Sequence, residues 1–354
     1  MKPGSLRWIG AAALLAAVAQ IAACKSESST LPALGAELAA TSVSGLSAGA
    51  YMAGQFQMAH SSIVRGAGIV AGGPYGCAES AFADVMPGPG APFMNLSKAM
   101  NGCMLDAMQT WGIPNPEKLA ERARKLAASD RIDATDGLAH TRVYLFSGTN
   151  DRIVLPSIVA AAAKLYAALG VPDAHVKLVS DIGAGHAFVT QDKGLACGRT
   201  GEPYITDCDY DQAGMLLAHI YGELKPRTAQ PAGEFIAFNQ QEFTRELTGH
   251  GLADTGVVYV PRSCRTSSGC RVHIVFHGCN QQRAKAGDAF MKDTGFANWA
   301  DANRLIVLFP QVTTGTLNPQ ACWDWWGYTG REYLTRKGPQ VVAVRRMLDR
   351  LAAR

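Results

Sequence analysis

One short stretch, Val43-Ser44-Gly45-Leu46-Ser47-Ala48-Gly49-Ala50-Tyr51, encodes a strand, a sharp turn and a helix in succession. Its centre, Gly45-Leu46-Ser47-Ala48-Gly49, fits the G-x-S-x-G pattern of a strained strand-to-helix turn that lifts a serine above a sheet. Both glycines have a steric reason. Where the chain doubles back so sharply, a side chain at either position collides with the neighbouring strand or helix. Leu38 to Val43 reads as a short buried strand, and Ala50 to Ala59 as a helix with Met52, Phe56 and Ala59 on one face. A turn of this kind requires a sheet beneath it, and the remaining sequence supplies further strands.

Ile63 to Gly73 has an apolar centre and ends in a glycine-rich turn, as a second buried strand does. Residues 74–116 are rich in proline and loop residues; Met100, Met104 and Met108 recur there at helical spacing and are expected to face the core. Glu117 to Ala128 has helical composition. Thr141 to Gly148 is a strong buried-strand signal, followed by Thr149-Asn150-Asp151-Arg152-Ile153-Val154 and an alanine-rich helix from Ser157 to Leu169. Ala174 to Val179 is the next strand, leading into Gly183-Ala184-Gly185-His186-Ala187-Phe188. Asp207 to Tyr221 reads as a helix, and residues 225–234 are proline-rich and polar. Cys270 to Cys279 and Asn303 to Pro310 are two more buried strands. Val341, Val344, Leu348 and Leu351 then share one face of a closing helix. Strands alternating with helices define an α/β fold with a mostly parallel central sheet and helices on both faces, in which strand-end loops meet at one rim.

The first 24 residues stand apart. Lys2 and Arg7 precede an apolar run from Trp8 to Ala19, too short to span a bilayer comfortably, as in a secretory signal peptide. Ile21-Ala22-Ala23-Cys24 resembles a lipoprotein box, making Cys24 a lipidation candidate and the expected point of membrane attachment. Residues 25–36 are then expected to be a polar tether and 37–354 a single catalytic domain. The eight remaining cysteines fit four disulfides in an oxidising compartment, pairing neighbours: Cys77 with Cys103, Cys197 with Cys208, Cys264 with Cys270, and Cys279 with Cys322. A net charge of +4 without a basic cluster gives no nucleic-acid surface. Cys264, Cys270, His273, His277 and Cys279 match no compact zinc spacing, so no metal or other cofactor is expected.

Acyl transfer requires a nucleophile, a base, a group that orients the base, and donors for an oxyanion. Ser47, His186 and Asp151 fill the first three roles, in the chain order of α/β-hydrolases. Among the eight histidines, His186 alone occupies the loop after the strand and helix that follow the acid. Asp181 is the competing acid, close to His186 in sequence but at the wrong strand end. The backbone N–H of Ala48, directly after the nucleophile, is one expected oxyanion donor.

Five stretches together carry a resemblance: residues 45–53 around the elbow, Ser147-Gly148-Thr149-Asn150-Asp151-Arg152-Ile153-Val154, Gly183-Ala184-Gly185-His186, Phe276-His277-Gly278-Cys279-Asn280-Gln281, and residues 318–328, which include Trp323-Asp324-Trp325-Trp326. They resemble the single-domain, circularly permuted depolymerases of the polyhydroxybutyrate class, over nearly the whole chain after the leader. In ordinary α/β-hydrolases a His-Gly oxyanion strand precedes the serine elbow; here His277-Gly278 follows all three catalytic candidates, which a circular permutation explains. Residues 225–234 then become the connection across the ancestral termini. The resemblance also implies that the Cys279 N–H is the second oxyanion donor. It places Trp323 and Asn318 at the substrate crevice, with His277 beside them shaping the turn.

The resemblance thus implies hydrolysis of poly(3-hydroxybutyrate) or a related short-chain polyester, with Trp323, Trp325, Trp326 and Tyr328 able to offer flat apolar surface to such a chain. Many secreted members carry a further binding domain after a threonine-rich linker; none is expected beyond Arg354, which implies weaker attack on crystalline polymer. A second reading is a carboxylesterase acting on small acetyl or feruloyl esters. A reading of another class is a surface lipoprotein that binds polymer without cleaving it.

Overall fold

A computed structural model of the chain describes residues 29–79, 91–105 and 112–354. The leader expected at 1–24, the lipidation candidate Cys24, residues 25–28 and Met108 lie outside the described residues.

The apolar runs become strands in chain order. They are β1 (Thr41–Leu46), β2 (Val64–Val70), β3 (Arg142–Phe146), β4 (Val176–Val179), β5 (Phe188–Thr190), β6 (Leu195–Ala196), β7 (Ile205–Asp207), β8 (Glu234–Asn239), β9 (Thr255–Val260), β10 (Arg271–Phe276) and β11 (Leu305–Phe309). Eight of them form one sheet in the order β4-β3-β2-β1-β10-β11-β9-β8, while β5, β7 and β6 make a small parallel sheet of their own. From β4 to β11 all neighbours are parallel; β9 is antiparallel to β11, and β8 to β9. Counted from β8, the spatial order reads 1-2-4-3-5-6-7-8, so the sheet is that of an α/β-hydrolase whose chain starts at its fifth strand.

Both faces are covered, which is why the central strands are buried along nearly their whole length. Alternate residues serve two cores: Val272, Ile274 and Phe276 of β10 pack toward the helices Ala48–Ala59, Pro156–Ala168 and Pro339–Ala352. On the opposite face Val275 packs with Leu216 and Leu217 of the helix Gln212–Tyr221 and with Phe296 of Phe296–Asn303. That face also carries a polar strut. Tyr221 donates to the Ala40 carbonyl, so Ser42 must donate to Tyr221, His273 Nδ1–H to Ser42, and Ser44 to the bare Nε2 of His273. His273 therefore ties β1 to β10 through its side chain as well as through the ladder.

Four disulfides join the cysteine pairs expected from sequence order. The apolar face of the last helix is buried as expected, with Val341, Val344, Leu348 and Leu351 all in the core. Residues 225–234 run beside Phe296–Asn303, where Lys225 and Thr228 bond to Asn303 and Asn298.

Two expectations are corrected. Residues 29–36 are not a free tether. Leu31 is fully buried, Ser29 exchanges backbone bonds with Ala237 and Asn239 of β8, and the Leu34 N–H donates to Leu351 at the end of the last helix. Leucine side chains interspersed among the polar residues give this segment enough apolar surface to dock. Met100 is 49% exposed on the helix Ala91–Gly102 and does not face the core, although Met104 packs against it.

Candidate active site

At the end of β1 the chain enters the helix Ala48–Ala59 through Ser47, whose φ of 57° and ψ of −121° lie in a region that L-residues avoid. The turn is this tight because β10 runs directly alongside. A Cβ on Gly45 would overlap the Gly49 carbonyl, and one on Gly49 would overlap the carbonyl oxygens of Phe276 and His277. All of these are backbone atoms with no freedom to yield. The two glycines are thus required by the tightness of the turn itself and by the approach of β10, a strand far downstream in the sequence.

The acid sits in the loop after β3. Asp151 is fully buried, and its Oδ1 accepts the backbone N–H groups of Ile153 (2.8 Å) and Val154 (3.0 Å). Its Oδ2 lies 2.8 Å from His186 Nδ1. A carboxylate only accepts, so Nδ1 carries the proton and Nε2 is left bare to act as a base. The histidine loop is fastened to the acid loop: Thr149 and Asn150 donate backbone N–H groups to Ile182 and Ala184, and Asn150 Nδ2 donates to Gly183. From the other side Thr200 Oγ1 accepts the His186 backbone N–H at 2.8 Å. Asp181 is exposed and makes no bond to His186, so the competition between the two acids is decided by geometry. Neither the Ser47 hydroxyl nor His186 Nε2 is engaged by another group among the described hydrogen bonds, and in this state they are not bonded to each other.

The turn after β10 lies against the nucleophile. A Cβ on Gly278 would come within 3.5 Å of the Ser47 Cβ. The N–H groups of Gly278 and Asn280 are taken by Gln281 Oε1 (2.7 Å) and the Gln320 carbonyl (2.7 Å). The Cys279 N–H between them has no acceptor among the described residues, and neither has the Ala48 N–H at the start of its helix. Two unclaimed amides flank the serine, in the pattern an oxyanion requires. A disulfide ties Cys279 to Cys322, fastening this turn to the loop that carries Trp323.

Trp323 and His277, expected at the substrate crevice, are 0% exposed and Asn318 only 3%, so in this structure they lie beneath the rim, with the Trp323 indole N–H lacking a partner among the described residues. His277 Nδ1 donates to the Gly278 carbonyl and Nε2 accepts the Val312 N–H; burial pushes this imidazole down to about 4 and keeps it neutral. Asn318 Oδ1 accepts the Cys322 N–H, and its amide group donates to Cys322 and Tyr328. The neighbouring rings face inward for one reason. The buried Asp324 carboxylate gathers the N–H groups of Trp326, Gly327, Tyr328 and Thr329 and the Thr329 hydroxyl, winding the loop around itself. Trp325 then stacks on Tyr51 at 4.2 Å between centroids, and Trp323 packs edge-on against Phe276 at 4.9 Å. The cysteines and histidines weighed as zinc ligands are otherwise engaged, in two disulfides and in the bonds of His273 and His277.

Sequence reasoning missed Thr200 and Gln281. Gln281 stood inside a motif that drew attention to its histidine and cysteine; Thr200 lies in a loop without any pattern to mark it.

By its permuted sheet and the groups gathered at its rim, the chain falls in the α/β-hydrolase class. No protein-family model matches it. It is 39% identical over 349 residues to a poly(3-hydroxybutyrate) depolymerase of Delftia acidovorans, an alignment covering 97% of this chain and 65% of that one. It is 32% identical over 343 residues to a polyhydroxybutyrate depolymerase of Talaromyces funiculosus, covering 92% and 93% of the two chains. Two solved structures resemble it at 30% identity. One is a serine-to-alanine variant of a PHB depolymerase complexed with an R3HB trimer (TM-score 0.79), and the other a PHB depolymerase from Penicillium funiculosum (TM-score 0.78). Each match covers 92% of this chain and 99% of the other. The chain belongs to the poly(3-hydroxybutyrate) depolymerase family.

Proposed function

We propose that the protein is a serine esterase that cleaves poly(3-hydroxybutyrate), or a closely related short-chain polyester, through an acyl-enzyme. The observation that carries this reading is the Asp151–His186 bond at 2.8 Å on the same rim as the strained serine turn and its two unclaimed amides. Ser47 Oγ attacks the ester carbonyl as its proton passes to His186 Nε2, and Asp151 stabilises the imidazolium. The negative oxygen of the tetrahedral intermediate accepts the Ala48 and Cys279 N–H groups. Collapse breaks the bond to the alkoxy oxygen, which takes the proton from His186 and leaves as the shortened chain's hydroxyl. Water, deprotonated by His186, then attacks the acyl-serine and frees the carboxylate and Ser47. The family membership and the trimer bound in a structural relative favour a 3-hydroxybutyrate polyester over acetyl or feruloyl esters.

We also propose export, with Cys24 as a lipidated first residue, on the strength of the leader pattern and the four disulfides. Mass spectrometry of the mature N-terminus tests that point. The function is tested by incubating the protein with amorphous poly(3-hydroxybutyrate): soluble 3-hydroxybutyrate monomer and oligomers are expected, and none with Ser47→Ala. Faster turnover of feruloyl esters than of polymer, or full activity in Ser47→Ala, overturns the reading. Covalent labelling of Ser47 by a fluorophosphonate separates catalysis from mere binding.

A further inference from the structure

Between the two halves of the site lies one side chain with no assigned role. Gln281 is 1% exposed, and both polar atoms of its side chain are bonded. Its Oε1 accepts the Gly278 N–H at 2.7 Å, and its Nε2 donates to the carbonyls of Pro203 (2.9 Å) and Tyr204 (3.2 Å). Its own backbone N–H closes the turn onto the Gly278 carbonyl. On one side it therefore shapes the turn whose Cys279 amide faces the serine. On the other it grips the segment that frames the histidine: Tyr204 accepts the Phe188 N–H, Cys197 the Gly185 N–H, and Thr200 the His186 N–H.

Two details make this link directional. Gln281 Oε1 takes the N–H on one side of Cys279, while Gln320 takes that of Asn280 on the other, so the Cys279 N–H alone remains for a ligand. The fit is also tight, since a Cβ on Gly278 would come within 2.9 Å of that same Oε1. An amide is the group the position demands. It must accept at one end and donate at the other, which neither a carboxylate nor an apolar side chain does.

We propose that Gln281 is a positioning residue that sets the Cys279 oxyanion donor in register with the His186 base. The proposal rests on the serine-esterase reading above. Its role is expressed in the transition state, where the developing oxyanion and the imidazolium are present together. Ground-state binding of the acyl and alcohol portions does not depend on it.

The test uses Gln281→Met, which removes both functions, and Gln281→Glu, which keeps the acceptor for Gly278 and loses the donor. Turnover of a soluble p-nitrophenyl ester is measured per folded site, together with the rate of fluorophosphonate labelling and the thermal midpoint. Because donors displaced by about an ångström cost on the order of a hundredfold, kcat and the labelling rate should fall together by about 10- to 100-fold with KM within about twofold. Glu should fall less far than Met. Folded variants with wild-type kcat and labelling overturn the proposal. So does a loss of activity that merely follows the folded fraction, or failure of both variants to fold, because the residue is then structural only. If the unmodified protein itself resists labelling, the esterase reading fails, a separate result from failure of the variants to differ.

Discussion

Replacing Asp151 by asparagine isolates what the acid does for the base. In the structure Oδ1 is held by two backbone donors, Ile153 at 2.8 Å and Val154 at 3.0 Å, while Oδ2 faces His186 Nδ1. An asparagine must turn its carbonyl toward the two N–H groups, because the opposite orientation sets its NH2 against two donors. Its NH2 then faces Nδ1 and donates to it. The neutral imidazole is forced to carry its proton on Nε2, where it cannot accept one from Ser47. The packing is unchanged and only the second N–H of the new amide lacks a partner, so the thermal midpoint should fall by a few degrees at most. An otherwise intact triad held in the wrong tautomer loses up to about 10⁴ in kcat, which corresponds to about 5 kcal/mol of transition-state stabilisation. Hydrolysis of a soluble short-chain p-nitrophenyl ester should show that loss with KM little changed. Retention of more than about a tenth of the wild-type kcat by folded Asp151→Asn would refute the assignment of Asp151 as the orienting acid.

Three further outcomes follow from the packing. Gly49→Ala should destabilise the fold by about 3 kcal/mol or more and lower soluble yield, since its methyl group meets two backbone carbonyls; urea denaturation checks it, and a near-normal midpoint contradicts the account of the turn. Stability should fall as pH drops from about 6.5 toward 4. Burial pushes His273 down to about 3 and His60 and His277 down to about 4, so over that window the unfolded chain binds protons that the folded one does not. Above the ordinary imidazole value the term is constant, and a denaturation midpoint that is flat or rises between pH 7 and pH 5 contradicts it. Replacing Cys279 and Cys322 together by serine should cost about 2–4 kcal/mol, because the 43-residue separation they span becomes free in the unfolded chain. Calorimetry measures that loss.

The sequence showed most plainly what backbone contact dictates. Gly45 and Gly49 flank the serine because another strand's carbonyls lie against them, and that demand is visible without knowing which strand it is. β11 is buried on both faces and reads as an unbroken apolar run, and β10 reads as one interrupted only by His273 after its first residue. The edge was harder. Glu234–Asn239 pairs with a full strand on one side and only with Ser29 on the other, and its mixture of polar and apolar residues carries no clean period, while β5, β6 and β7 are two or three residues long and set by tertiary contacts. In the site, Asp151 and His186 were legible from loop order. The burial of Trp323 and Asn318 was not, because it follows from Asp324 collecting five donors, and a lone aspartate among tryptophans gives no sign of that. Likewise the leucines at 31 and 34 dock a segment whose polar composition reads as solvent-exposed.

The pairing of Ser42 with His273 spans 231 positions. A ribosome therefore finishes the nucleophile's strand long before it makes the strand that covers its open edge. Without β10, the strands β1, β2, β3 and β4 would form a half-sheet with an unpaired edge at what becomes the middle of the molecule. The site is incomplete without it too, because the Gly278 and Cys279 turn beside the serine follows directly on β10. A chain truncated before β10, or slow to bring it into place, is thus exposed to aggregation through the seam that later holds its active site.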